Sequence, residues 1–151
     1  MTDRSLAEFV RRHRVIGLDT NVLIAHFEQA ALYAKTASRL LQEFETTNAR
    51  GMLSVITIPE VLIRPIRLKN DSLRDQYERL VFGGRFELAP ITQSVAEHAA
   101  VIGGRSKLQT LDALIVASLI EAGATGFVTA DQDFKHVTEL DVLVLSGKRP
   151  R

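Results

Sequence analysis

The chain lacks several features that mark particular classes of protein. It contains no cysteine, which excludes a disulfide framework, a thiolate zinc site and a thiol nucleophile. Its longest largely apolar run, residues 113–120, is far shorter than the roughly 18 residues typical of a membrane span. The N-terminus carries charges of both signs and has no apolar segment of the kind found in secretory signals. Together these absences favour a protein of the cytoplasm.

The sequence also lacks an excess of charge of either sign. Its 19 basic and 18 acidic residues give a formal net charge of +1, so any binding of nucleic acid must depend on local patches. Basic residues are in excess near the N-terminus and again between residues 64 and 85, although solvated helix faces usually have the same composition. With 151 residues, 46% of them hydrophobic, we expect one domain spanning 1–151.

Short apolar runs alternate with segments of helical periodicity. The run 15–18 is apolar and is followed at once by polar residues, as expected of a buried strand. Thr57 is predicted to cap a helix in which Glu60 completes a capping box. The alternation predicts βαβ units and a mainly parallel sheet covered on both faces. The predicted strands are 15–18, 51–56, 86–88, 126–129 and 142–145, and the predicted helical segments are 31–44, 57 onward, 72–82, 92–102, 108–122 and the turn 131–136.

Acidic residues occur where predicted strands end or predicted helices begin. Asp19 and Asp131 each follow a strand, Glu60 and Asp112 lie in first helical turns, and Asp133 comes soon after Asp131. Functional sites of parallel α/β sheets lie beyond the carboxyl ends of the strands, so these acids can share one edge. Each acid also has a structural interpretation, because carboxylates cap helix N-termini and form turns.

Asp112 is the acid that a purely structural interpretation explains least well. It lies at the start of a helix with almost no polar surface, so its charge needs a partner. Carboxylates crowded at one edge repel each other unless a divalent cation lies between them. Ligands that are all oxygen favour Mg²⁺ or Mn²⁺ over zinc.

Four segments carry a resemblance to a known family. VIGLDTNVLI, VITIPE, LDALIVAS and FVTADQDF occur in the order, and at roughly the separations, of the PIN-domain ribonucleases, and the chain resembles a VapC-type toxin. The resemblance extends from about residue 15 to residue 145. It implies an α/β/α sandwich whose acidic pocket binds Mg²⁺ or Mn²⁺ and cleaves RNA phosphodiesters.

The resemblance assigns roles residue by residue. Asp19, Glu60, Asp112 and Asp131 match the four family acids, as catalytic residues and metal ligands. Four more residues match positions that lie beside the site in the family, namely Thr20, Asn21, Thr129 and Asp133. The chain departs from the family in its extension of about fourteen residues, 1–14, before the first strand. We expect this extension to form an amphipathic helix that packs on the domain through Leu6, Phe9 and Val10.

The resemblance also implies partners, namely an RNA substrate, a cognate antitoxin protein and a second copy of the chain in a homodimer. Apolar residues of the early helices, including Val22, Leu23 and Ile63, are candidates for an antitoxin groove, although most such residues are expected in the core. Two other functions stay open at this point. One is a PIN nuclease that acts in RNA processing and is not a toxin, and the other is a PIN-fold binding module without catalysis.

Overall fold

A computed structural model of the protein describes residues 3–28 and 32–145. Within this part of the chain, each of the first three connections between strands is a pair of helices, and a 3₁₀ turn forms the last. In chain order the elements are α1 (Asp3–Arg12), β1 (Val15–Leu18), α2 (Thr20–Glu28), α3 (Ala34–Thr46), β2 (Arg50–Ser54), α4 (Thr57–Arg67), α5 (Asp71–Phe82), β3 (Phe86–Ala89), α6 (Gln93–Ser106), α7 (Thr110–Glu121), β4 (Gly126–Thr129), a 3₁₀ turn (Gln132–His136) and β5 (Asp141–Val144). None of these helices is long and apolar enough to cross a membrane.

The five strands form one sheet in the order β3-β2-β1-β4-β5. All four pairings are parallel, and they place Ile16 beside Gly51 on one side and beside Gly126 on the other. The strand order reverses direction at β1, since β2 and β3 follow on one side while β4 and β5 follow on the other. Such a switch point opens a crevice at the carboxyl edge of the sheet, where ligands of open α/β sheets bind.

Helices cover both faces of the sheet. One core cluster joins α1 to α5 with Ile16, Leu18 and Leu53, and the other joins α6, α7 and the 3₁₀ turn with Val15 and Phe127. Neighbouring strand residues enter opposite clusters because side chains alternate across a strand. The architecture is therefore the three-layer α/β/α sandwich with a parallel central sheet that was expected.

The N-terminal extension forms α1, whose apolar side belongs to the first core. Leu6, Phe9 and Val10 are all buried there. At the end of the helix, His13 ties the extension to the sheet, because its ring nitrogens lie 2.9 Å from Thr125 Oγ1 and 2.8 Å from Asp141 Oδ2. The helix is thus packed on the sandwich as the amphipathic pattern predicts.

The direction of α7 determines where its first turn lies. Gly123, with φ of 102°, reverses the chain after α7, and β4 begins only a few residues later. A helix that leads directly into a parallel strand runs antiparallel to the sheet, so its N-terminus lies at the carboxyl edge. This connection brings the start of α7 to the edge where α2 and α4 also begin.

Local predictions were wrong in four places. Strand β2 ends at Ser54, so residues 55 and 56 of the predicted strand lie in the turn before α4. Helix α2 was not predicted as a helix of its own. Helix α3 begins at Ala34, later than the predicted start, and residue 31 lies outside the described residues. Thr57 does not cap α4, because Ile56 occupies the N-cap position and no side chain accepts a capping hydrogen bond there. The Thr57 hydroxyl instead faces α2, a tertiary contact that the spacing of Thr57 and Glu60 cannot show.

Candidate active site

A polar network occupies the carboxyl edge of the sheet at the β1–β4 switch point. Its centre is Asp19, which follows β1 directly and is only 6% exposed. Asp19 Oδ1 accepts a hydrogen bond from the Thr20 backbone N–H at 2.8 Å. Asp19 Oδ2 accepts from Thr129 Oγ1 at 2.6 Å and from Asn21 Nδ2 at 3.0 Å. The Asp19 carboxylate is therefore held on both oxygens, which fixes its orientation.

The Thr20 hydroxyl connects α2 to α4. It donates to Glu60 Oε1 at 2.9 Å and lies 3.2 Å from Thr57 Oγ1. Thr20 and Thr57 are buried, whereas Glu60 is exposed. The glutamate carboxylate is thus anchored at one oxygen by a buried hydroxyl while the residue remains open to solvent.

A second chain of contacts links Asp19 to the loop after β4. The Thr129 hydroxyl that donates to Asp19 also accepts from the Asp131 backbone N–H at 3.0 Å. Asn21 Oδ1 accepts from the Ala130 backbone N–H at 3.1 Å, so the Asn21 amide spans the two strand ends. Asp131 is the N-cap of the 3₁₀ turn, and its Oδ1 accepts from the Asp133 N–H at 2.9 Å. Asp133 itself is exposed.

Asp112 approaches the same edge from the first turn of α7 and is partly buried. Burial raises the pKa of Asp112, and the nearby charges of Asp131, Glu60 and Asp133 raise it further. Each of these like charges disfavours a second ionised group nearby. The four acids therefore form one electrostatic group, although they come from separate parts of the chain.

Asp19 is affected in the same way. Burial raises its pKa to about 6, and the charges of Asp112 and Glu60 act in the same direction, against the hydrogen bonds from Thr129 and Thr20. Among the described residues, every ion pair lies elsewhere, and none includes any of the five acids of this edge. The group thus has concentrated negative charge, and no basic side chain of the described residues forms an ion pair with it.

The donor set of this group determines which metal ion it suits. In the described part of the chain, no three Asp, Glu or His side chains lie close enough together to hold one ion as they stand. The chemistry of the group nevertheless fits a hard divalent cation, because its donors are all oxygens and a cation relieves the repulsion that raises the pKa values of Asp19 and Asp112. By donor type and charge, the residues therefore fit a divalent metal ion.

The predicted site residues all lie at this edge. The structure brings Asp19, Thr20, Asn21, Thr129, Asp131, Asp133 and Glu60 into one hydrogen-bonded network, and it places Asp112 within electrostatic range of that network. Thr57 is the residue that the sequence analysis placed wrongly. Its spacing of three residues before Glu60 indicates only a helix cap, so the sequence carries no signal of its contact with Thr20.

The family model of the PIN domain matches residues 16–140. This range includes all the acids of the network and excludes α1. No curated protein matches the sequence.

Several solved structures have a similar fold. A toxin–antitoxin complex from Klebsiella pneumoniae superposes with a TM-score of 0.63 at 24% identity, over 85% of this chain and 96% of the other. VapBC2 from Rickettsia felis, solved with a DNA fragment from its promoter, superposes with a TM-score of 0.62 at 18% identity, over 87% of this chain and 99% of the other. The Mycobacterium tuberculosis toxin VapC20, which cleaves the sarcin–ricin loop, superposes with a TM-score of 0.60 at 17% identity, over 74% of this chain and 86% of the other. At these identities the similarity shows a shared fold.

Proposed function

Since this chain belongs to the PIN-domain family, we propose that it is a metal-dependent endoribonuclease and the toxin of a toxin–antitoxin pair in the cytoplasm. The observation that carries the proposal is the convergence of Asp19, Glu60, Asp112 and Asp131 at the switch point without a balancing basic side chain among the described residues. Toxin structures among the similar folds support the biological role.

The proposed metal ligands are Asp19, Asp112 and Asp131, with Glu60 as a fourth ligand through water or as the group that orients the attacking water. A bound Mg²⁺ or Mn²⁺ lowers the pKa of a water molecule and offsets the charge that develops on the phosphate. Asp19 presents a carboxylate whose orientation is set by Thr129, Asn21 and the Thr20 N–H. This preorganisation reduces the rearrangement needed when the substrate binds.

Glu60 is the acid best placed to exchange a proton with water. Its residue is exposed while Thr20 holds one of its oxygens, so the other oxygen is available to a water molecule. In hydrolysis, that water attacks phosphorus, its proton passes to the carboxylate, and the phosphorus–oxygen bond to the leaving strand breaks. The leaving oxygen keeps the electron pair of that bond and takes up a proton from solvent water. The Thr20 hydrogen bond fixes the position of the Glu60 carboxylate beside that water molecule.

Helix α4 supplies a surface for the proposed antitoxin. Ile63, Ile66 and Leu68 are about half exposed or more, at 52%, 49% and 60%, and they follow Glu60 along the same segment. Ile63 lies one helical turn after Glu60, so a protein partner that covers Ile63 also covers the approach to Glu60. Val22 and Leu23, which were candidates for such a groove, are fully buried and belong to the core. The homodimer that the family resemblance implies is tested by sedimentation of the purified chain.

The test is cleavage of a pool of structured cellular RNAs by the purified protein with Mg²⁺ or Mn²⁺. We expect cuts that disappear in EDTA and in Asp112→Asn. The matched control is Asp75→Asn, which removes an exposed acid on α5 that lies outside the network, and it should cleave normally. Metal-independent cleavage, or equal activity of Asp112→Asn and Asp75→Asn per folded molecule, would refute the assignment.

A further inference from the structure

A basic cleft lies at the amino edge of the sheet, on the opposite side from the acids. We propose that it binds the phosphodiester backbone of RNA and so supplies affinity that the acidic edge cannot. The inference rests on the proposed function, because it concerns how the same RNA substrate is held. The cleft encloses about 950 Å³ and is lined by residues 10–14 on one side and 46–50 on the other.

Two segments form the walls of the cleft. One is the end of α1 with the turn into β1, and the other is the end of α3 with the turn into β2. The Arg50 backbone N–H donates to the Arg14 carbonyl at 2.8 Å, which holds the two turns together. Because both turns precede parallel strands, they lie at the amino edge by the same topology that places the acids at the carboxyl edge.

The side chains of the cleft are strongly basic. Arg11, Arg12, Arg14 and Arg50 line it together with His13, and none of the described acidic residues does. Ion pairs occupy two of the four guanidinium groups, because Arg12 contacts Asp141 at 3.1 Å and Arg50 contacts Glu87.

Arg11 and Arg14 supply the available charge of the cleft. Within the described part of the chain, their side chains have no ion-pair or hydrogen-bond partner, and both residues are exposed. Asn48 is exposed beside them and adds an amide donor. Two guanidinium groups and an amide in an open cleft provide hydrogen-bond donors suited to phosphate oxygens.

The distribution of charge explains why a polyanionic substrate needs such a cleft. At the carboxyl edge, Asp19, Glu60, Asp112 and Asp131 repel phosphate unless a cation is bound. The net charge of +1 provides almost no general attraction. The two edges are separated by strands of four or five residues, about 13–17 Å at ~3.3 Å per residue. A structured RNA larger than that distance can contact both edges of the domain.

The experiment measures binding without cleavage. A fluorescently labelled structured RNA is titrated in EDTA with the Asp112→Asn protein and with the same protein carrying Arg11→Gln and Arg14→Gln. We expect about 5- to 30-fold weaker binding at 100 mM salt, from two exposed charge contacts. The slope of log affinity against log salt should fall in magnitude by about 1.4, or ~0.7 for each phosphate that the protein no longer neutralises.

The matched control carries Arg67→Gln and Arg79→Gln, which remove the same charge from exposed residues of α4 and α5 that also have no ion-pair partner among the described residues. We expect its affinity to stay within about twofold. Equal losses in both variants would show a general charge effect and overturn the proposal, as would unchanged affinity of the cleft variant. Single replacements at Arg11 and at Arg14, checked by circular dichroism, each should give part of the loss and so exclude a folding defect.

The two proposals fail in different ways. If the wild-type chain never cleaves RNA in the presence of metal, the nuclease assignment fails, but a selective loss of RNA affinity in the cleft variant still supports the cleft. If cleavage is found, the cleft variant should raise KM for a long RNA and leave kcat unchanged. A change in kcat with KM constant would place Arg11 and Arg14 outside substrate binding and overturn the inference.

Discussion

Removing the charge of Asp19 should change how stability depends on pH in the metal-free protein. The pKa of Asp19 is raised from its ordinary 3.8 to about 6, chiefly by burial. The folded state therefore holds this proton more tightly than the unfolded state, and folding stability falls as pH rises through the interval between the two values. The side chain of Asp19→Asn does not ionise in this pH interval, so the variant does not lose stability there through residue 19.

The size of the effect follows from the two pKa values. At about 1.4 kcal/mol per pH unit, ionising Asp19 costs the folded protein about 3 kcal/mol in full. Roughly 0.5 kcal/mol of this already applies at pH 4, because the unfolded carboxyl is largely ionised there. Between pH 4 and pH 8, the free energy of unfolding of Asp19→Asn should therefore rise by about 2.5 kcal/mol relative to that of wild type. For a chain of this size, that is a relative shift in Tm of about 5–10 °C.

Urea unfolding of both proteins in EDTA at several pH values measures the difference directly. Hydrogen bonds altered by the new amide shift the variant equally at every pH, so only the slope of the difference matters. A flat difference, or one of opposite sign, would show that the pKa of Asp19 is not raised in the folded protein. Mg²⁺ should stabilise wild type more at pH 8 than at pH 4, because the ion binds the ionised carboxylates.

Three further predictions concern the core and its buried polar contacts. Phe9→Ala should lower the free energy of unfolding by about 3–5 kcal/mol in urea denaturation, because the ring is buried; a decrease below about 1 kcal/mol would show that α1 is not part of the core. Gly17→Ala should cost about 1–3 kcal/mol, since its new Cβ would lie 2.6 Å from a terminal carbon of the buried Leu119, and thermal unfolding tests this. Tyr77→Phe removes the 3.0 Å hydrogen bond to Glu28 and should lower the free energy of unfolding by about 1 kcal/mol. An unchanged Tm would show that this hydrogen bond does not stabilise the fold.

Some parts of the site are visible in the sequence because they are local. Asp19 follows a short apolar run that predicts a buried strand, and Asp131 comes soon after another. The order of the four motifs carries the family resemblance, and the match over residues 16–140 confirms the PIN domain. Other parts are tertiary. The Thr57 hydroxyl contacts Thr20 and does not cap its own helix, because α2 and α4 pack together at that point. No spacing of residues in the sequence encodes this contact.

The sequence by itself determined the alternation of strands and helices, the parallel sheet and the identity of the acids, because hydrophobic period and residue type are properties of short segments. The tertiary structure alone decided that the pKa of Asp19 is raised, since burial and the charges of Asp112 and Glu60 come from residues far away in the chain. It also decided that Arg11 and Arg14 share a cleft with residues 46–50. Charges act through space, and only the folded chain sets the distances between them.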